Sequence, residues 1–196
     1  MKNKLKNIFE KIKKRLYFVI EKWYSKNEKV ICNQKKQLDM KKRGDSSMTV
    51  FDVANWFLSK EPMTHKKLQK LCYYAQAWYC ALYDGSPLFK DEVQAWVHGP
   101  VVATLYPLYA DYKWNDIPCK TFDESKLGEK ERAILNAVYN TYGEFTGDQL
   151  EALTHSEDPW KFARDGFKPW EVCTKQISCE SMRDYYRKKY EQEQND

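Results

Sequence analysis

Between Lys66 and Tyr109 the chain carries its most ordered alternation of apolar and polar positions. Leu68, Leu71, Cys72, Ala75, Trp78, Tyr79 and Leu82 recur at steps of three and four, the period of one buried helix face. Thr64 suits an N-cap, Met63 before it can staple onto Leu68, and Asp84-Gly85 turns the chain at the far end. Glu92 to Val97 then alternates polar and apolar, the pattern of an edge strand. His98-Gly99-Pro100 breaks that segment. With Pro100 at a first helical position, the pattern predicts a helix over residues 101–112.

The flanking segments are simpler. In residues 1–31, Leu5, Ile8, Phe9, Ile12, Leu16, Val19, Ile20 and Trp23 repeat at helical spacing with lysines between them, which predicts an amphipathic helix. Its longest apolar run, Leu16 to Ile20, is too short for a secretory core and far short of the about 20 residues that cross a bilayer. Residues 32–47 lose the period and read as a linker. A short helix is expected over Val50 to Leu58, then a loop over 111–125 containing one short strand that pairs with 93–97. A helix over Glu129 to Tyr142 should close at Gly143, and Thr146-Gly-Asp-Gln149 is a capping box for the next one. His155-Ser156-Glu157-Asp158-Pro159-Trp160 reads as a helix-to-helix junction in which Ser156 caps and the two acids answer the helix dipole. A last helix starts after Ser178, with Ile177 and Met182 as its staple. The expected fold class is mainly α: a compact helical domain over 48–196 with a minor β-hairpin or small sheet, preceded by the amphipathic helix and linker of 1–47.

Composition changes this picture in three ways. Aromatic residues reach 15%, with 7 Trp and 14 Tyr, so rings supply much of the burial and some are expected at an interface. Charge is divided unevenly: residues 1–47 hold 15 of the 33 Lys/Arg and 5 of the 28 Asp/Glu, leaving 18 against 23 for the rest. A basic arm is joined to a mildly acidic body, which points to an anionic partner for the arm. The six cysteines form no CxxC and there are only three histidines, so we expect reduced thiols in a cytoplasmic protein, with no metal and no cofactor.

Three motifs, KLQKLCYYAQAWYCALYDGSPLF, EVQAWVHGPVVATLY and LTHSEDPW, together resemble the Panacea antitoxin domain, also called SocA-like, over roughly residues 48–190. The resemblance implies a mostly helical, non-enzymatic domain that neutralises a toxin encoded beside it by binding it directly. Family partners include nucleotide pyrophosphokinases related to alarmone synthetases, and membrane-damaging toxins. The alternatives are a DNA-binding transcriptional regulator or a proteolysis adaptor, also non-enzymatic.

Candidate chemistry is sparse. His98, His155, Glu157, Asp158 and Cys173 could form acid–base or thiol pairs, but each has a simpler structural role, and GxSxG, P-loop and HExxH patterns are absent. No catalytic residue is assigned. A Thr64–Lys70 helix-turn-helix entrance is the basis for operator DNA as a second partner, against which stand the acidic body and the rings of the central helix. The candidate partner-binding residues are Tyr73, Tyr74 and Tyr109 as non-stripe rings, His98 beside them, and Leu5, Ile8, Ile12, Leu16 and Trp23 of the arm. That apolar stripe needs a cover: its own domain, the toxin, or a membrane surface, the last not favoured.

Overall fold

The computed structural model describes residues 48–194, with side chains as far as Glu191. The expected helix of residues 1–31, and with it Leu5, Ile8, Ile12, Leu16 and Trp23, lies outside the described residues. Within them the fold is mainly α with a minor sheet content: seven α-helices and two two-stranded antiparallel sheets.

Helix α1 (Val50–Leu58) is set by a capping box in which the Asp52 amide donates to Thr49 Oγ1 and the Thr49 amide to Asp52 Oδ2, each over 3.2 Å. It buries Val50, Val53, Ala54, Trp56, Phe57 and Leu58. Strand β1 (Met63–Thr64) leads directly into α2 (His65–Leu82), capped by Thr64 as its sequence predicts.

Helix α2 is the axis of the domain. Fourteen of its 18 residues are buried, because α1, the helices Glu129–Tyr142, Gly147–Ser156 and Cys179–Gln194, and the strand Gly99–Val102 pack around it. The amphipathic reading is therefore corrected. Tyr73 and Tyr74, expected on an open face, are wholly buried, while Tyr79 and Leu82 of the expected stripe are only half-buried. Its polar side chains are buried because they find backbone partners. Gln76 accepts from the Leu88 and Phe89 amides (2.9 and 3.2 Å) and donates to the Phe89 carbonyl (3.0 Å). Two turns earlier, Gln69 accepts from the Val102 amide (2.8 Å) and donates to its carbonyl (3.4 Å). Each amide acts as a short artificial strand that fastens one loop to the helix.

Strands β2 (Val93–Trp96) and β3 (Gly99–Val102) form a hairpin with Val93 opposite Val102 and Trp96 opposite Gly99. This overturns the helix expected from residue 101. Gly99 sits at φ +94°, which favours glycine, and β-branched Val101 and Val102 extend the strand behind it. Helix α3 (Tyr106–Tyr109) starts only afterwards and continues as a 3-10 turn to Tyr112. Nor is β2 an edge. The Ala95 amide donates to Lys175 O (2.9 Å) and the Ile177 amide to Val93 O (2.8 Å), so residues 175–177 cover its outer side. The short strand in the 111–125 region is present as β4 (Asp116–Ile117), but it pairs with β1 rather than with 93–97.

Helix α4 (Glu129–Tyr142) has the expected bounds, although Gly143 closes it in right-handed conformation (φ −63°). Helix α5 (Gly147–Ser156) has the expected Thr146–Gln149 capping box. Helix α6 (Asp158–Ala163) does not use Ser156 as its cap. That hydroxyl donates back to Leu153 O (2.6 Å), and Glu157 occupies the cap position with its side chain turned inward. Helix α7 (Cys179–Gln194) packs on α2 and buries Met182 and Tyr186. The five described cysteines are free thiols, three of them buried. No helix among the described residues is long and apolar enough to cross a membrane.

Candidate binding cleft

The first turns of α2 place His65, Lys66, Gln69 and Lys70 on one side, as i, i+4 spacing requires. The β2–β3 turn, carrying Trp96, Val97 and His98, stands opposite. Between them opens a cleft of about 670 Å³, closed further by Tyr106, Lys113 and Trp114 and by residues 172–174. Its volume lies in the ordinary range of ligand sites.

Lys70 is the unusual member. It is 1% exposed, and its Nζ donates to the Pro100 carbonyl over 3.2 Å without a carboxylate partner among the described residues. Burial pulls this amine down to about 7; Glu151 opposes that shift and Lys66 adds to it. Lys66, one turn earlier, is conventional: it pairs with Asp148 (2.8 Å) and Glu151 (2.7 Å). Burial lowers its proton affinity, and the two carboxylates outweigh that and raise it. Glu151 also receives His98 Nδ1 at 3.0 Å. Burial pushes His65 down to about 4, helped by Lys70, so its ring is neutral. His155 is likewise lowered by burial. It stacks on Trp160 (centroids 4.0 Å, planes 16° apart), and its buried Nε2 has no hydrogen-bond partner among the described residues.

Room for Lys70 is made by the hairpin. A Cβ on Gly99 would stand 2.7 Å from Lys70 Cε and 2.8 Å from Thr154 Oγ1, so the turn passes where only a glycine fits. The HGP motif is thus a wall of the cleft rather than a helix start.

A second polar group lies in the core, away from the residues that line the cleft. Glu157 is fully buried and accepts from Tyr186 Oη (2.6 Å), Tyr74 Oη (3.2 Å) and Lys189 Nζ (3.2 Å), while Tyr73 Oη lies 3.2 Å from Tyr186 Oη. Burial, and then the Glu157 charge, drive these three phenols far above their usual range, so they keep their protons, and Tyr74 and Tyr186 donate theirs to Glu157. Tyr74 also stacks face to face on Tyr142 at 4.0 Å. This network joins α2, the α5–α6 junction and α7. It is core.

The sequence-predicted contact residues separate accordingly. His98 is at the rim of the cleft with its side chain 74% exposed. Tyr73 and Tyr74 are in the core network, and Tyr109 is buried, its hydroxyl accepting from Lys120 Nζ over 2.8 Å. The exposed rings among the described residues are others: Trp114 (82% exposed) and Tyr106 at the cleft, and Phe51, Phe162 and Trp170 elsewhere. In the sequence Trp114 is an isolated apolar residue of a loop, and Lys70 is one lysine of the Thr64–Lys70 helix entrance. Neither has a periodic signal that would separate it from its neighbours. No group of three His, Cys, Asp or Glu able to hold a metal occurs among the described residues.

The model of the family described as Antitoxin SocA-like, Panacea domain, matches residues 68–161. The matched span runs from Leu68 in α2 to Lys161 in α6, and so includes Lys70, His98, Gly99, Glu151 and Glu157. No curated protein and no solved structure matches the chain. An antitoxin-like domain supports a toxin–antitoxin role in general, and a binding rather than a catalytic one.

Proposed function

We propose that the protein is the antitoxin of a type II toxin–antitoxin pair and that it neutralises its toxin by direct, stoichiometric binding. The observation that carries this reading is the family match over residues 68–161. The surface is consistent with it. Trp114, Phe162, Trp170 and Val172 are each more than two-thirds exposed, and an exposed ring costs solvation that an interface recovers. Blocking a toxin's active site needs only a stable contact of about 1,600 Å² in total. The partner is a protein encoded beside this one, with nucleotide pyrophosphokinases of the alarmone-synthetase type as the leading class.

The DNA-reading alternative finds less support. A recognition helix needs a row of polar side chains free to meet base edges, and α2 has fourteen of its 18 residues buried. The deciding experiment expresses the neighbouring reading frame alone and together with this protein. Growth arrest relieved by co-expression, with the two proteins co-purifying, is the expected result. Arrest that persists in the presence of this protein ends the proposal.

A further inference from the structure

We propose that the cleft between α2 and the β2–β3 hairpin binds a small organic anion carrying a planar ring, with Lys70 receiving its phosphate or carboxylate group. This goes beyond toxin binding and does not depend on it.

Four observations lead there. Lys70 is 99% removed from solvent yet, among the described residues, bonds only to the Pro100 carbonyl, where the neighbouring Lys66 and Lys67 each have a carboxylate at 2.8 Å or less. A buried amine with one neutral acceptor leaves donors unused and a charge uncompensated, which an apolar residue of similar length would avoid. The fold nevertheless makes room for this amine, since a side chain on Gly99 would collide with it. Third, Glu151, whose charge attracts Lys70, is shared with Lys66 and His98, so among the described residues no carboxylate is given over to Lys70. An incoming oxyanion would supply a counter-ion, and would meet Lys66 and Lys113 on its way in.

The fourth observation selects the rest of the ligand. The cleft walls carry Trp96 and Tyr106, whose rings lie 4.8 Å apart, and Trp114 stands 82% exposed at the mouth. Such rings offer stacking faces to a planar group. A volume of about 670 Å³ suits a molecule of mononucleotide size better than a bare ion. Nucleoside phosphates and aromatic carboxylates share the required chemistry, a flat ring joined to an oxyanion.

The test titrates the full-length protein, by calorimetry and by tryptophan fluorescence, with four probes: AMP, indole-3-carboxylate, adenosine and inorganic phosphate. Saturable binding is expected for AMP or indole-3-carboxylate, and whichever binds assigns the anionic group. Adenosine and inorganic phosphate should each bind at least tenfold more weakly. Lys70→Met should weaken the binding at least tenfold. Trp114→Ala, a surface change that does not threaten the fold, should weaken it severalfold and remove part of the fluorescence response. Failure of both ring-bearing anions to bind at millimolar concentration overturns the proposal. So does binding that Trp114→Ala leaves unchanged, or inorganic phosphate binding as tightly as AMP.

Discussion

Tyr186 of α7 donates its phenolic proton to Glu157 at the α5–α6 junction over 2.6 Å, in a place where neither residue meets solvent. The acid that local sequence assigns to a helix dipole is thus the anchor to which the last helix is tied. Glu157 also gathers Tyr74 and Lys189, so one carboxylate joins three parts of the chain.

Removing that anchor should be costly. Glu157→Ala removes the buried carboxylate on which two phenols and the Lys189 ammonium converge, and is expected to destabilise the domain by about 3–5 kcal/mol. Tyr186→Phe removes one donor from a carboxylate that keeps others, and should cost about 1–3 kcal/mol. Urea unfolding of the two variants measures both. Equal, small effects would mean that the network contributes little.

Gly99→Ala meets two obstacles, a left-handed backbone and the Lys70 side chain 2.7 Å from the new methyl. Backbone strain alone is worth on the order of 1–3 kcal/mol. In a double-mutant cycle with Lys70→Ala, the pair should be less destabilising than the sum of the singles, because the second change removes one collision. Strict additivity would separate the glycine from the lysine.

Lys70 also sets a pH dependence. Its folded proton affinity lies near pH 7 and its ordinary one near 10.5, so between these values the unfolded chain binds more protons. Stability from this group is therefore full above the higher value and falls as pH drops toward 7, below which both states are protonated. The urea midpoint of the wild type minus that of Lys70→Met should rise from pH 7 to 9.5. Lys66 and Glu151 act on the amine, and Lys70 in turn lowers His65 and His155, two imidazoles already held below their ordinary value and so neutral across this window. A flat difference would place Lys70 in water.

Gln76 should hold the loop after α2 as a strand would. Gln76→Ala deprives the Leu88 and Phe89 amides and the Phe89 carbonyl of their partner, and a cost of about 2–4 kcal/mol is expected. Hydrogen exchange should accelerate first at those two amides, while the amides of α4 keep their protection. Uniform acceleration across the domain would deny the local role.

Deleting residues 1–47 is expected to leave 48–196 folded by circular dichroism while weakening toxin neutralisation in co-expression, and Ile12→Asp with Leu16→Asp should do the same. Full neutralisation by the truncated chain would confine the interface to the helical domain. Collapse of that chain would show the arm to be core.

Local signals in the sequence were enough for the helices that their own residues terminate. The bounds of α1 and α4, the Thr64 and Thr146 caps and the start of α7 after Ser178 follow from hydrogen bonds three or four residues long, which a linear reading contains. Mainly α with a small sheet was legible for the same reason. Three things were decided only in three dimensions. Gly99–Val102 became a strand because Val93–Trp96 and Gln69 offered its backbone partners across the fold, overriding the helix-start signal of Pro100. Tyr73 and Tyr74 went inside because α7 and Glu157 arrive from more than 80 residues away to satisfy their hydroxyls, and periodicity counts a phenol as polar without knowing its partner. Lys70 and Trp114 face one cleft although 44 positions separate them in the chain, and nothing in either one's neighbours along the sequence encodes that meeting. The chain by itself determines where backbone hydrogen bonds close locally; which polar side chains are buried, and against what, depends on groups that only the folded chain brings together.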